Sequence, residues 1–124
     1  MAARSEEFNN LKIHTQYSIC EGAIKIDDLA NYCKTNKIKA IGLADSFNLC
    51  GALEFAEKIG KVGTQPIIGT QINFKFADTV GLLPLFALNK DGYKRIIELS
   101  SLSYLNNDQL SDPHLIFDEL LNKN

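Results

Sequence analysis

The sequence predicts an α/β fold in which parallel strands alternate with helices, and two observations carry this prediction. The run Ala40–Ala44 is short and apolar, which is typical of a strand buried on both faces, and Asp45 follows at its carboxyl end. Behind it, apolar residues recur at helical spacing, and the same succession of strand and helix continues along the 124 residues. Such alternation is typical of parallel sheets whose strands are joined by helical crossovers.

The individual elements are predicted from periodicity and from end signals. Gly60 and Gly63 end the second helix, Pro84 favours an edge position or an irregularity in the fourth strand, and Asn89 is a predicted N-cap. Strands are predicted over Asn10–His14, Ile38–Ala44, Ile67–Phe76 and Leu82–Leu88, with a turn at Ala77–Gly81. Helices are predicted over Lys25–Asn36, Asn48–Val62 and Asn89–Leu105, and from Asp112-Pro113 onward.

Each predicted helix has an apolar stripe that we expect to face the sheet. The first stripe is Ile26, Leu29, Ala30 and Cys33, and the second is Leu49, Leu53, Ala56 and Ile59. The third is Tyr93, Ile96, Ile97 and Ser100, and the fourth is Ile116, Phe117, Leu120 and Leu121. The last helix has no following strand to cover, so the chain is predicted to be part of a longer protein whose sheet continues.

Composition excludes several classes of protein. The chain is 45% hydrophobic and 23% charged with a net charge of −2, which suits one globular domain and argues against a basic nucleic-acid surface. No apolar run is long enough to span a bilayer, and residues 1–8 lack the apolar core of a secretory signal. Cys20, Cys33 and Cys50 form no CxxC pair, so we expect reduced, buried thiols in a cytoplasmic protein.

Asp45 is the first candidate for a functional residue. In α/β folds the carboxyl ends of parallel strands are where ligand and catalytic sites are built, and Asp45 is predicted at such an end. The alternative is that its carboxylate only caps the following helix or accepts hydrogen bonds in the turn.

Several stretches, in order, resemble the PHP (polymerase and histidinol phosphatase) domain. HTQYSICEGA at residues 14–23 resembles its opening motif, and LADSFNLCGALEF at residues 43–55 resembles its second motif with the helix behind it. Residues 61–69, which end in PIIG, are similar to its third motif. LFALN at residues 85–89, followed by Gly92-Tyr93, resembles its fourth strand and helix. The similarity is greatest to the PHP domains that open the alpha subunit of bacterial DNA polymerase III.

The resemblance implies a fold and a site. The family fold is a distorted (β/α)7 barrel, one strand short of the eight of a TIM barrel, and residues 1–124 would supply its first half. Active members hold several metal ions with His, Asp and Glu side chains and hydrolyse phosphoesters. The positions that correspond to this metal site, or remain from it, are Lys12, His14, Glu21, Asp45, Ser46 and Gln71.

Three of these positions depart from the family pattern. The His-x-His motif begins with Lys12, the Asp-His pair becomes Asp45-Ser46, and the acidic residue after the third strand becomes Gln71. Clustered divalent ions need anionic or imidazole ligands, which a lysine, a serine and a glutamine do not supply. We therefore expect no catalytic residues and no metal in this chain, with His14 and Asp45 as the remaining candidate ligands. We also hypothesise that the Lys12 ammonium substitutes for the lost metal near Asp45, Glu21 and His14.

The function that follows from the resemblance is structural. The chain is expected to be a PHP portion of a replicative DNA polymerase alpha subunit, which extends DNA with Mg²⁺ through carboxylates in later domains. Its expected partners are the rest of that alpha chain and the proofreading exonuclease subunit, with DNA bound through other domains and no membrane. The alternative is an active metal-dependent phosphoesterase or a built-in 3′–5′ proofreading exonuclease.

Overall fold

The computed structural model describes residues 8–108 and 110–121, which form a four-stranded sheet and four helices. The helices are α1 (Ile26–Asn36), α2 (Ala52–Lys61), α3 (Lys90–Leu105) and α4 (Phe117–Leu121). The strands are β1 (Ala40–Ser46), β2 (Gln65–Phe76), β3 (Thr79–Phe86) and β4 (Leu115–Ile116). Strands and helices alternate along most of the chain, as predicted.

The sheet is mixed, so the prediction of parallel strands throughout was wrong. Strand β1 runs parallel to β2 and β4 also runs parallel to β2, but β3 is antiparallel to β2. The reason is the connection, because only Ala77 and Asp78 separate β2 from β3. A two-residue loop can only reverse the chain, whereas a parallel pair needs a long crossover. Pro84 lies in β3, which is at the edge of the sheet order, as predicted.

The predicted first strand is present only as a short extended segment beside β1. Ile13 forms an isolated parallel bridge with Leu43. The backbone N–H of Gly42 donates to the Asn10 carbonyl at 2.8 Å, and that of Ala44 donates to the Ile13 carbonyl at 2.8 Å. A Cβ atom at Gly42 would lie 2.3 Å from the carbonyl oxygen of Leu11, so only glycine permits this close approach.

The predicted stripe of α1 is confirmed, whereas that of α2 is rotated. All four stripe residues of α1 are buried. Helix α2 begins at Ala52 rather than Asn48 and buries Ala52, Phe55 and Ile59, while Leu53 is 73% exposed. Because Leu49 lies before the helix, it could not set the phase of the buried face.

The two later helices differ from prediction, α3 in which residues it buries and α4 in where it begins. Asn89 caps α3 as predicted, since its side chain accepts from the Gly92 N–H at 2.8 Å, but Ile97 is exposed and Leu99 is buried instead. Helix α4 begins at Phe117, so the predicted start at Asp112-Pro113 was wrong. The intervening Leu115 pairs with Phe74 of β2 and is buried.

The helices α1, α2 and α3 pack on one face of the sheet. Ile41 and Leu43 of β1 join the core under α1 and α2, and their partner Ile68 packs against it. Ile72 and Phe74 lie on the same face of β2 as Ile68, and they pack with Leu99 of α3. The other face therefore carries the alternate residues of β1 and β2, including Gly42, Ala44, Ser46, Gly69 and Gln71.

The three cysteines differ in environment, so the prediction that all are buried was wrong for two of them. Cys33 is buried in α1, and burial raises the pKa of its thiol, an effect that a hydrogen bond with Thr64 partly offsets. Cys20 and Cys50 are free thiols that are exposed in loops. Within the described residues, none of the helices combines the length and the apolar character that a bilayer crossing demands.

Candidate functional site

Five of the six predicted site residues, all except Lys12, meet at the carboxyl end of β1, where they lie in two polar layers. Successive side chains of a strand point to opposite faces, so Asp45 and Ser46 lie on opposite sides of the sheet. Asp45 lies on the same face of β1 as Leu43, which packs under the helices. Ser46 lies on the other face, in register with Gln71. We name Thr15, Ser18 and Asp45 the helix-side layer, and His14, Glu21, Ser46 and Gln71 the opposite layer.

The helix-side layer is built around the fully buried carboxylate of Asp45. Its Oδ1 accepts hydrogen bonds from the backbone N–H of Thr15 at 2.6 Å and from the Ser18 hydroxyl at 2.7 Å. Its Oδ2 accepts from the Thr15 hydroxyl at 2.7 Å. A buried carboxylate is costly unless it is hydrogen-bonded, and here both oxygens have short donors. Asp45 therefore holds the loop that contains Thr15 and Ser18 against β1.

The opposite layer consists of residues that bond to one another. The Ser46 hydroxyl donates to Glu21 Oε2 at 2.6 Å, and the Gln71 amide nitrogen donates to Ser46 Oγ at 3.2 Å. The same amide nitrogen lies 3.2 Å from Nε2 of His14, while Nδ1 of His14 lies 3.9 Å from Glu21 Oε2. The buried Oε1 of Gln71 has no hydrogen-bond partner among the described residues. The four side chains thus form a chain of contacts with one acceptor left over.

Ser18 connects the two layers through a single oxygen. Its hydroxyl donates to Asp45 on the helix side and accepts the backbone N–H of Ser46 at 3.1 Å. Its Oγ also lies 3.4 Å from Nδ1 of His14 in the opposite layer. Ser18 is fully buried, so water does not compete for these contacts.

The loop that carries these residues is also fixed to the helices. The Tyr17 hydroxyl donates to Glu54 Oε2 at 2.7 Å, and the Lys58 ammonium lies 2.9 Å from Glu54 Oε1 and 2.6 Å from Asp27 Oδ1. The hydrogen bond from Tyr17, followed by that from Lys58, lowers the pKa of Glu54. Hydrogen bonds to Asp27 and then to Glu54 raise the pKa of Lys58, and the bond to Glu54 raises the pKa of Tyr17.

Gly51 makes room for this loop. A Cβ atom at position 51 would lie 2.7 Å from Cδ2 of Tyr17 and 3.4 Å from Oδ2 of Asp45. The amide of Asn48, just before it, donates to the Tyr17 carbonyl at 2.9 Å. The turn after β1 is therefore shaped to receive the loop residue Tyr17.

The structure does not bring Lys12 into either layer. Its side chain is exposed, and its backbone N–H is bonded to Asn10 Oδ1 at 3.1 Å. In residues 8–108 and 110–121 its ammonium forms no ion pair with Glu21 or Asp45. The electrostatic substitution hypothesised from the sequence thus finds no contact in support, and neutral hydrogen-bond donors surround Asp45 instead.

Sequence reasoning missed Thr15 and Ser18, which it placed only within the motif at residues 14–23. Both are fully buried and supply the hydroxyl donors to Asp45. The available signal was the hydroxyl spacing of Thr15 and Ser18, since small hydroxyl residues in a tight loop commonly bond to nearby acceptors. Their partner lies 27 or more residues away, which no local pattern could indicate.

The described residues do not fit the multinuclear metal site that the resemblance implies. Both oxygens of Asp45 are occupied by donors, and the opposite layer offers Ser46 and Gln71 where stronger ligands are needed. Across the part of the chain that the structure describes, no three His, Cys, Asp or Glu side chains come together as a possible ion site. Asp45 and His14, the two candidate ligands, belong to different layers.

Comparison with known proteins gives consistent matches. The chain is 39% identical over 116 residues to DNA polymerase III subunit alpha of Rickettsia felis, covering 93% of this chain and 10% of that protein. It is 37% identical over 124 residues to the same subunit of Caulobacter vibrioides, and 35% identical over 109 residues to that of Helicobacter pylori. These alignments cover 90% and 82% of this chain, and 10% and 9% of those proteins. The chain thus spans about a tenth of the length of the relatives it matches.

The solved structures show the same fold at low sequence identity. A protein of Bifidobacterium adolescentis described as a metal-dependent phosphoesterase superposes with a TM-score of 0.56 at 17% identity. The match covers 78% of this chain and 35% of that one. The PHP domain family itself matches residues 10–124, which is nearly the whole sequence. This chain therefore belongs to the PHP domain family.

Proposed function

We propose that this chain is the N-terminal portion of the PHP domain of a replicative DNA polymerase alpha subunit. The observation that carries the proposal is the similarity to DNA polymerase III subunit alpha, which extends over 93% of the chain. The whole polypeptide would extend DNA from deoxynucleoside triphosphates with Mg²⁺ in the cytoplasm, through carboxylates and DNA contacts outside this region.

Within that polypeptide, the proposed role of this region is structural. The side chains at the positions of the family metal site bond to one another and to the loop, which supports a non-catalytic platform. The platform would support the polymerase core and offer a docking surface to the proofreading exonuclease subunit. The packing of α1 to α3 on one face supports the proposal that the region is the first half of a barrel, whose interior would be the opposite face.

The experiment that tests the proposal uses the protein expressed from its complete open reading frame. We expect Mg²⁺-dependent primer extension, and no hydrolysis of a chromogenic phosphoester or of a mismatched 3′ end. The purified exonuclease subunit is expected to co-elute with the protein in size-exclusion chromatography. Absence of primer extension would contradict the polymerase assignment.

The competing function is a metal-dependent phosphoesterase, and the same preparation distinguishes the two. Elemental analysis is expected to find no stoichiometric Zn or Mn in the wild-type protein. Phosphoesterase activity that chelation abolishes and Mn²⁺ restores would establish the competing function in place of the structural role.

A further inference from the structure

The two polar layers pose a physical question that the proposed role leaves open, namely what holds the Thr15–Gly22 loop. In a metal site, ligands on different segments are drawn together by the ion that they share. Here the segments that carry His14, Ser46 and Gln71 are far apart in sequence but close in space. Their side chains meet directly, at distances of hydrogen bonds.

Ser18 occupies the position from which both layers can be reached. The Ser18 hydroxyl donates to the Asp45 carboxylate at 2.7 Å, and its oxygen accepts the backbone N–H of Ser46 at 3.1 Å. The backbone of Ser18 also closes the loop, because its carbonyl accepts the N–H groups of Glu21 at 3.0 Å and Gly22 at 2.9 Å. The loop that supplies Glu21 to the opposite layer is thus held through Ser18.

We propose that the Ser18 hydroxyl joins the two layers into one hydrogen-bonded cluster, which holds the Thr15–Gly22 loop on the carboxyl end of β1 without a metal ion. Asp45 supplies the acceptor on the helix side, and the Glu21–Ser46 pair closes the opposite side at 2.6 Å. The cluster deepens the proposed structural role on which it rests, because it explains how a site without its ligand set keeps its shape.

The cluster predicts a specific effect of Ser18→Ala on one backbone amide. Removing the hydroxyl leaves the buried Ser46 N–H without its acceptor, so we expect hydrogen exchange at Ser46 to accelerate at least about tenfold. Thr15→Val is the matched variant, because it removes another hydroxyl from Asp45 but leaves the acceptor of the Ser46 amide in place. Both variants are expected to lower the melting temperature, but Ser18→Ala should accelerate exchange at Ser46 far more than Thr15→Val does.

The control is Ser101→Ala, whose hydroxyl donates to the Ile97 carbonyl on an exposed helix surface and lies outside the cluster. Ser101→Ala should change neither the melting temperature nor the exchange rate of the Ser46 amide. Measurement is by amide exchange with NMR or mass spectrometry on the full-length protein. Unchanged exchange at Ser46 in Ser18→Ala, or equal acceleration in Thr15→Val, would overturn the proposal.

The wild-type protein supplies an independent test should Ser18→Ala fold poorly. Addition of EDTA, or of Mn²⁺ or Zn²⁺ after EDTA removal, is expected to leave the exchange of the Ser46 amide unchanged. A metal-dependent rise in melting temperature with slower exchange at Ser46 would show that an ion holds the loop and would refute the cluster. Such a result would leave the polymerase assignment intact, because primer extension tests that assignment separately.

Discussion

At the scale of single residues, the site is determined by how a strand alternates. Asp45 was predicted from its place at a strand end, and the structure puts it there. Its use as a hydrogen-bond acceptor for Thr15 and Ser18 could not be predicted, because those partners lie in a loop whose path depends on tertiary contacts. Sequence position identifies where a site residue lies, whereas the partner residues decide what it does.

Lys12→Met is expected to leave the free energy of unfolding within about 0.5 kcal/mol of the wild-type value. The Lys12 side chain is exposed, and the hydrogen bond at this position uses the backbone N–H, which methionine retains. Urea denaturation of the full-length protein measures the effect. A clear loss of stability would revive the hypothesis that the ammonium replaces a metal ion.

Tyr17→Phe should reduce stability in a pH-dependent way. The hydrogen bond from Tyr17 is the largest cause that lowers the pKa of Glu54 below its usual 4.5. A carboxyl group with a lowered pKa contributes stability that is present above the unfolded pKa and lost as pH falls through the folded pKa. We therefore expect the melting temperature difference between the two proteins to be larger at neutral pH than below about pH 4.

Thermal melts across that range provide the measurement for Tyr17→Phe. Tyr32→Phe serves as the control, since Tyr32 is an exposed tyrosine in α1 and no change is expected there. A difference that stays constant from neutral to acid pH would argue against the role of Glu54.

At the scale of elements, periodicity located most helices and strands but did not fix the phase of the helices or the direction of β3. The stripe of α1 is correct because its start coincides with the first stripe residue, Ile26. The stripe of α2 was right at Ile59 and wrong at Leu53, because Leu49 precedes the helix and shifts the phase. The direction of β3 was wrong because only two residues separate it from β2. Turn length and helix phase depend on a single residue at a boundary, and boundaries are the least predictable part of a sequence.

Gly42→Ala and Gly60→Ala are expected to change stability in opposite directions. An added Cβ atom at Gly42 would meet the Leu11 backbone at 2.3 Å, so we expect a loss of about 1–3 kcal/mol. At Gly60, inside α2, the added carbon would meet no atom within 4 Å beyond its chain neighbours and the backbone of its own helix, and alanine should stabilise the helix by up to about 1 kcal/mol.

Chemical denaturation of both glycine variants tests how closely the first segment approaches β1. Equal effects of the two substitutions would show that the segment around Leu11 can move away from β1 at little cost. The Gly60 variant controls for the general effect of replacing glycine with alanine on the unfolded chain.

At the scale of the whole molecule, the site draws on three separate segments. His14 precedes α1, Ser46 ends β1, and Gln71 lies in β2 where that strand pairs with β1. The register that places Ser46 opposite Gln71 follows from the parallel pairing, which the sequence predicted. Whether these two side chains bond to each other depends on the exact offset between the strands, which the sequence could not predict.

Restoring the family pattern should restore metal binding. In the triple variant Lys12→His, Ser46→His, Gln71→Glu, imidazole and carboxylate ligands return to the three altered positions. Without metal, this variant should be less stable than wild type, because the carboxylate introduced at position 71 would lie near Glu21 and the Ser46–Glu21 bond is lost. Added Mn²⁺ should raise the melting temperature of the variant by more than it raises that of wild type, because both proteins retain the divalent-ion site proposed for the polymerase. A variant that responds to Mn²⁺ no more than wild type does would show that the three substitutions are not what removed the site.

Because Cys33 is buried while Cys20 and Cys50 are exposed, alkylation of the native cysteines can measure how often α1 separates from the sheet. The thiolate is the nucleophile that attacks an alkylating reagent, so the two exposed loop cysteines should be modified rapidly, while the raised pKa and burial of Cys33 protect it. Peptide mapping by mass spectrometry would then find adducts at Cys20 and Cys50 in the native protein, and a third adduct at Cys33 only when α1 separates from the sheet. The rate of that third adduct reports, without any engineered label, how often the helical layer detaches.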